Sequence, residues 1–577
     1  MSATILKWSR RPARAGSTPI PSPAAPTSAS MSAPPLIPKP LFLALTSALL
    51  CAMGALQFHT ASLEAQTYDE AVHLTAGYSY WVTGDYRLNQ EHPPLAKLLC
   101  AAPLLAMGLR FDTTSPHWSL PDQSEMGRLF LYSNTRPAGS ILAAARSVTI
   151  ALSLSLGLAL ALWLRPRFGE LAALGALALY AFDPNFLAHG RYVTTDVAVT
   201  LFSFLSVIAW LAFLEHGRKH WLALAALTLG LAMASKFSGL YVLPVHAALL
   251  ALQALRRRIS WPKALAALPL LCAGAILVCA ATYGTHSLRV PSWREHKYVT
   301  GIKELRQHNI DGHRSYLLGK VNTHGDPLYF PIAFAVKTPE ATLLAFLFAL
   351  ALLPRVLRRH DVLLWLALLL YPALYFGLSV AGNINIGIRH LLPIYPFLFA
   401  LIAAAVSTLP RRTALATPAL LFAGILSAQP AIYPDYLAYF NRFAGGPAAG
   451  TRYLLDSNLD WGQDVIKLKR YMDAHGIEFV QAAYFGMADL NHYGIRHGGL
   501  PGAHEPHEID KLDNWVAASV TDVYDVYFDQ PTFNWLQRYT PTARIGWSLY
   551  LYDLRQSTLP AGKRPLPPAP NATPHTP

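Results

Sequence analysis

Charge is scarce in this sequence. Only 14% of its 577 residues are Asp, Glu, Lys or Arg, against about 25% in a soluble chain, which excludes an ordinary soluble protein of this size. Cysteine is nearly absent as well. Cys51, Cys100, Cys272 and Cys279 all lie in apolar surroundings, so they supply neither a disulfide frame nor a cysteine metal cluster. There is no heptad pattern and no repeat of fixed period, nor a convincing Gly-rich nucleotide fingerprint. Acidic residues are outnumbered, 33 against 47 basic, for a formal net charge of +14. In a soluble protein that excess would suggest nucleic acid. Here 53% of residues are hydrophobic and the mean hydropathy is +0.28, so the excess reads as basic cytoplasmic loops.

What the sequence does have is a series of apolar runs from Leu41 to Ile432, many close to the ~20 residues that cross a bilayer. Spans are expected at 40–58, 139–164, 170–188, 197–214, 221–235, 238–255, 264–283, 336–354, 361–380, 391–409 and 413–432. That makes about eleven helices, or up to about thirteen. The breaks carry basic clusters: Arg165 and Arg167; Arg218 and Lys219; Arg256, Arg257, Arg258 and Lys263; Arg355, Arg358 and Arg359; Arg411 and Arg412. With the N-terminus inside, this parity puts every cluster in the cytoplasm. The apolar stretch from Leu95 to Leu109 would invert it if counted as a span. It is short and opens after Pro93-Pro94, so it reads as an interfacial or re-entrant helix. The region 221–255 is either two spans with Lys236 at an external turn or one kinked helix.

The expected fold class is a polytopic α-helical membrane protein with a small C-terminal α/β domain. Residues 1–39 and 561–577 read as disordered tails, too poor in apolar residues to fold. Residues 40–432 form the transmembrane body, with external loops 59–138 and 284–335. Residues 433–560 form the external domain. In it, Gln463 to Ala474 has helical character, while EFVQAAYFG, NWVAASV and IGWSLYLYDL are strand-like.

The outward side gathers ionisable residues, which are functional candidates by default at a membrane edge. Asp69 and Glu70 follow the first span, and Glu70 and His73 would share a helical face. The bland alternative is an interfacial helix with an acid favoured at its start by the dipole. Glu91 and His92 stand before two prolines that hold them in a defined pose; they could bind a cation or a phosphate, or the loop could simply turn. Lys97 reads as snorkelling. Asp196, Lys236, Arg389 and His390 fall on the same side.

In order along the chain, Tyr68-Asp69-Glu70, Gly84-Asp85 and His92-Pro93-Pro94-Leu95-Ala96-Lys97 resemble the first luminal loop of the dolichyl-phosphate-mannose protein mannosyltransferases. They are similar, too, to that of the bacterial aminoarabinose transferases, where a Lys commonly takes the His92 place. Arg191 to Asp196, Lys236 to Leu240, His324 to Pro331 with Lys337-Thr338-Pro339, and Arg389 to Pro393 resemble further motifs of these families. Tyr436 to Asn441 and Asp456 to Asp464 resemble a bacterial branch of family 39 glycosyltransferases. The Ser/Thr-rich trefoil insert of the eukaryotic members has no counterpart here.

The resemblance implies a GT-C fold and an inverting transfer of a sugar, mannose first, from a polyprenyl-phosphate donor to a protein or envelope-glycan acceptor in the periplasm. In that scheme Asp69 is the general base, Glu70 orients it or the acceptor, and Asp196 is a second acid. His92, Arg389, His390 and Lys236 meet the donor phosphate. A divalent metal held by Glu91 and His324 is a further expectation, with His296 a substitute ligand; no nucleotide is required. Asp460, Trp461 and Gln463 read as either a sugar- or peptide-binding group or a buried turn. The competing readings are a transporter, a lipid-linked glycan ligase and a non-catalytic scaffold.

Overall fold

The structure is a computed structural model that describes residues 37–556. The expected tails lie outside the described residues, except that the first helix already begins at Lys39. Among the described residues, eight helices are long and apolar enough to cross a membrane: Lys39–Ala61, Ala138–Phe168, Asp196–His216, Phe237–Leu255, Trp261–Ala281, Val362–Val380, Ile388–Ser407 and Arg411–Ala431. The protein is a polytopic helical membrane protein.

Three expected spans take a different form. The run 170–188 breaks into Glu170–Ala181, of 12 residues, and Pro184–His189. Asp183 ends the first piece because its carboxylate accepts from the amides of Asn185 and Phe186, at 2.8 and 3.4 Å, with Pro184 opening the next turn. Twelve residues rise only about 18 Å. The helix Lys219–Ser235, of 17 residues, stops at Lys236, whose backbone is extended, so 221–255 is not one helix. The run 336–354 belongs to a pair, Tyr329–Lys337 and Glu340–Ala351, bent by 111°. Pro339 forces the preceding Thr338 out of the helical region.

Contacts between helix ends place the basic loops together. Arg165 covers the ring of Phe42 at 4.9 Å, and Arg167 reaches Glu215 at 3.0 Å. Phe168 meets His360 edge-on, Arg256 pairs with Asp361, and Arg359 donates to the Ser407 carbonyl. These ends form one pole of the bundle. Asp69, Asp196, Lys236 and Arg389 lie at the opposite helix ends. The two helices that carry Asp196 and Arg389 at their heads are also the most enclosed, with 78% and 89% of their apolar windows buried, against 11% for Arg411–Ala431.

Over this second pole lie the helices Glu70–Thr83 and Gln123–Tyr132, the short apolar helix Leu95–Ala101 with its continuation to Met107, and Lys297–Asp311 with a hairpin, β1 (Ser315–Leu317) and β2 (Lys320–Asn322). Gly77 lets the Glu70 and Leu95 helices touch, since a methyl there would overlap the Lys97 carbonyl. Lys97 does not snorkel. It is buried, and its ammonium donates to the Tyr80 hydroxyl and the Asn89 and His92 carbonyls at 2.7–2.8 Å, fixing the 89–92 turn.

The C-terminal part contains the helix Val465–Ala474 and five strands: β3 (Val480–Ala483), β4 (His497–Gly499), β5 (Trp515–Ser519), β6 (Ala543–Ile545) and β7 (Leu549–Asp553). Their order is β4-β3-β5-β7-β6. β3 is parallel to β4 and β5, while β7 is antiparallel to β5 and β6. Before this sheet, residues 433–464 run as short turns over the membrane body. Lys337, buried within the bent pair, donates to the Leu437 and Asn458 carbonyls and ties that segment down.

Candidate active site

The first span ends at Ala61, and the chain then runs against the C-terminal segment. Ala65 N–H donates to the Gln463 carbonyl at 3.0 Å and Tyr68 N–H to the Trp461 carbonyl at 2.9 Å. This pairing sets Asp69 beside Trp461. Asp69 stands at the N-cap of the Glu70 helix, yet its side chain accepts no capping bond. The carboxylate faces Arg389 instead, at 3.4 Å, and remains 25% exposed.

Asp196, at the head of its buried helix, is 1% exposed. It accepts from the Lys236 ammonium at 2.6 Å and meets the same Arg389 nitrogen at 3.5 Å. Lys236 is presented by the break between two helices. Four residues from separate parts of the chain thus form one charge-balanced cluster: two carboxylates, one ammonium and one guanidinium.

Arg389 is held from the C-terminal side as well. Its guanidinium lies over the Trp461 ring at 4.4 Å, and its Nε donates to Ser457 Oγ at 3.3 Å. Asn458 Oδ1 accepts from Ile388 N–H at 2.9 Å. Gly387, at φ +154°, leaves the space that Ser457 Oγ fills. Trp461 therefore serves the site through Arg389. Asp460 and Gln463 form a buried turn: Asp460 accepts from the Gly462 and Thr521 amides, and Gln463 Oε1 accepts from Trp461 N–H.

Among the histidines whose buried ring nitrogens lack a protein partner are His92, at Nδ1, His189, at Nδ1, and His390, at Nε2. The His92 ring lies 5.3 Å from that of His73. Burial, then the cationic neighbours His73, Lys236, Lys97 and Arg389, holds His92 well below the ordinary histidine range, so it is a neutral hydrogen-bonding group at neutral pH.

Glu70, expected to orient Asp69 or the acceptor, turns its carboxylate to a buried arginine. Its carboxylate is fully buried against Arg146, with Arg146 Nε to Oε1 at 2.8 Å and Nη2 to Oε2 at 2.6 Å. The amides of Thr67 and Val193 occupy its other lone pairs at 2.8 and 3.0 Å. Glu70 is a pin that joins the Asp69 loop to the Ala138 helix and to the strand of chain before Asp196. A second pin, Glu64 with Arg191 at 2.7 Å, lies next to it. Both arginine partnerships escape the sequence reading. Arg146 was detectable as a lone cation inside an apolar run, which requires a partner; nothing in spacing identifies which.

The divalent-metal expectation rested on Glu91 and His324. Glu91 and His324 are both exposed, and no group of three or more His, Cys, Asp or Glu able to hold a metal occurs among the described residues. Two such residues alone would leave the other positions of a divalent ion to phosphate and water. His296 is used elsewhere, its Nε2 lying 2.9 Å from Ser287 Oγ.

Comparison with known proteins adds one family. Residues 126–283 match the family described as dolichyl-phosphate-mannose-protein mannosyltransferase. This bears out the resemblance carried by the motifs; the matched stretch includes Asp196 and Lys236 and excludes Asp69 and Arg389. No curated protein matches. Among solved structures, the chain is 13% identical to ArnT from Cupriavidus metallidurans bound to undecaprenyl phosphate, covering 89% of this chain and 97% of that one, with TM-score 0.46. It is 13% identical to the oligosaccharyltransferase AglB from Archaeoglobus fulgidus in complex with an inhibitory peptide and a dolichol-phosphate, covering 90% and 75%, with TM-score 0.44. It is 19% identical to the S. cerevisiae protein O-mannosyltransferase Pmt1-Pmt2 complex bound to the sugar donor, covering 44% and 35%, with TM-score 0.33.

Proposed function

We propose that the protein is an inverting glycosyltransferase that moves a sugar, mannose first, from a polyprenyl-phosphate donor to an acceptor on the extracytoplasmic side of the membrane. Serine or threonine of exported proteins is the leading acceptor. The observation that carries this reading is the meeting of Asp69 and Asp196 on one guanidinium, Arg389, with Lys236 beside them, at the pole away from the basic loops.

In this scheme the lipid phosphate docks on Arg389 and Lys236, with His92 and His390 offering their unpartnered ring nitrogens. Cations at that point stabilise charge that builds on the leaving phosphate. Asp69 is the more exposed acid, and its one cationic partner in the cluster is Arg389, at 3.4 Å. A phosphate that competes for Arg389 loosens that contact and leaves the carboxylate ready to accept the acceptor hydroxyl proton. The acceptor oxygen then forms its bond to the anomeric carbon from the face opposite the departing phosphate. Asp196, buried and bonded to Lys236, positions the two cations.

The test uses the purified protein in vesicles with labelled polyprenyl-phosphate mannose and exported acceptor peptides. The wild type is expected to transfer label, and Asp69→Asn to lose roughly 10²–10⁴-fold in rate. A well-folded Asp69→Asn variant that transfers at the normal rate overturns the assignment of the base. A wild type that transfers from no polyprenyl-phosphate sugar overturns the function.

A further inference from the structure

Beside the charged cluster, four side chains from three separate parts of the chain form an unbroken hydrogen-bonded line. Asp456 sits in the segment that clasps Arg389, one residue before Ser457. Its backbone is in the left-handed region at φ +56°, and its Oδ1 accepts from the Ser457 amide. The Tyr527 hydroxyl donates to Asp456 Oδ2. The same hydroxyl lies 3.3 Å from His313 Nε2, and His313 Nδ1 lies 2.9 Å from His308 Nε2. His308 is on the helix Lys297–Asp311, which is largely exposed, and its ring is only half-buried.

The parts of this line are held in register. Phe485 stacks on the Tyr527 ring at 5.2 Å and 7°, and Tyr68, next to Asp69, stacks on the other side of Phe485 at 5.3 Å. Arg314 donates to the Phe528 carbonyl at 2.6 Å, and His313 N–H to the Asn383 carbonyl at 3.2 Å. Asp456 feels both Asp69 and Arg389. His313 feels the same two charges, together with His308. A row of groups that can each both accept and donate a proton, running from a buried carboxylate to a half-buried histidine on an exposed helix, is chemically more than a structural tie. A tie would need only one of its bonds.

We propose that Asp456, Tyr527, His313 and His308 form a proton exit from the sugar-transfer site to solvent. The proposal rests on the transfer reading above. The acceptor O–H bond breaks as its oxygen bonds the anomeric carbon, and the C–O bond to phosphate breaks with its electron pair leaving on the phosphate. The released proton is taken up by Asp69, which is 25% exposed, and crosses to Asp456 through water in the open site. From there the protonated Asp456 carboxyl gives its proton to the Tyr527 oxygen while the Tyr527 hydroxyl, rotated from Asp456 toward His313, gives its own to the free Nε2 of His313 in its Nδ1–H tautomer. His313 passes its Nδ1 proton to His308 Nε2, and His308 releases one to water. No oxidant or second substrate is consumed, each group returns to its starting charge, and the Tyr527 hydroxyl and the two imidazole tautomers are reset by rotation and exchange with water before the next turnover.

Tyr527→Phe keeps the ring stack but removes the relaying atom, and His313→Ala opens a gap that free imidazole can fill. Both are assayed in vesicles beside the wild type and Asp69→Asn. The relay predicts kcat down about tenfold in each, less than the loss of a base because water still offers a slower route. It predicts unchanged KM for donor and acceptor, a larger solvent deuterium effect, and recovery of His313→Ala by imidazole. Wild-type kcat in both variants overturns the relay and leaves the transfer reading standing. A deficit in His313→Ala that imidazole does not relieve also overturns it, as a packing defect, and this holds even if Tyr527→Phe fails to fold. A wild type silent with every polyprenyl-phosphate sugar overturns the transfer reading, and the relay with it.

Discussion

Glu70 and Asp69 are neighbours in sequence with opposite roles, and replacing each by its amide separates them. Glu70→Gln leaves the volume nearly unchanged and removes one charge. In the structure both members of the Glu70–Arg146 pair are enclosed, with side-chain exposures of 0% and 3%. At 2.6 Å and an effective dielectric of ~20, their gross attraction is about 6 kcal/mol, most of it offset by the cost of taking both ions out of water. That offset is lost when one partner is neutralised, because Arg146 then stays buried with no counter-ion. The expected destabilisation is ~3–5 kcal/mol. Asp69 is 25% exposed and 3.4 Å from its partner, so Asp69→Asn is expected to cost at most ~1 kcal/mol while abolishing transfer. The assay is thermal or denaturant unfolding in nanodiscs, in parallel with transfer rate. The double variant Glu70→Gln/Arg146→Met should recover part of the loss, since no lone buried charge remains. A Glu70→Gln protein as stable as the wild type but inactive would refute this reasoning and return Glu70 to the chemistry.

Arg389→Lys keeps the charge but loses the planar face over Trp461 and the Nε bond to Ser457. Donor KM is expected to rise by roughly tenfold or more, read by polyprenyl-phosphate titration; an unchanged KM would remove Arg389 from the phosphate site. Burial pushes the Asp456 carboxyl up to about 6. An acid with a raised folded pKa binds its proton more tightly in the native state, so its effect on stability is a penalty that develops as pH rises from about 4 to about 6 and persists above. Asp456→Asn removes that penalty, so its unfolding midpoint relative to the wild type should climb across this window; parallel pH profiles for the two proteins would contradict the burial argument. Gly387→Ala should displace Ser457 from Arg389, because the added methyl occupies the space of its hydroxyl, and lower transfer with little change in the rest of the fold, as judged by circular dichroism and rate together.

The sequence made visible whatever depends on local composition. Apolar length located the eight long helices, and the order of basic breaks identified which helix ends lie together. Alternating β-branched and aromatic residues marked β3, β5 and β7. The short strands β4 and β6 escaped notice because three residues such as His497-Gly498-Gly499 carry no such pattern, and β6 gains its strand identity only by pairing with β7. The broken spans escaped for a related reason: apolar content continues through Asp183-Pro184 and Thr338-Pro339, while the backbone cannot.

The site divides along the same line. Asp69, Asp196, Lys236 and Arg389 were legible because charged groups at the ends of apolar helices are costly and therefore sparse. Their joint meeting point was a matter of parity alone. The groups that finish the site come from places where charge and aromatics are common, and no spacing distinguishes them. Ser457, Trp461 and Asp456 acquire their meaning only when residues 433–464 fold back across the membrane body, held by a lysine, Lys337, that looks from its apolar neighbours like an error in a span. The pole that carries Asp69, Asp196 and Arg389 is complete only with residues 433–464 packed onto it. The proposed site thus draws on residues far apart in the chain, and the buried pins Glu70–Arg146 and Lys337–Asn458, rather than the groups proposed to react, hold those segments in place.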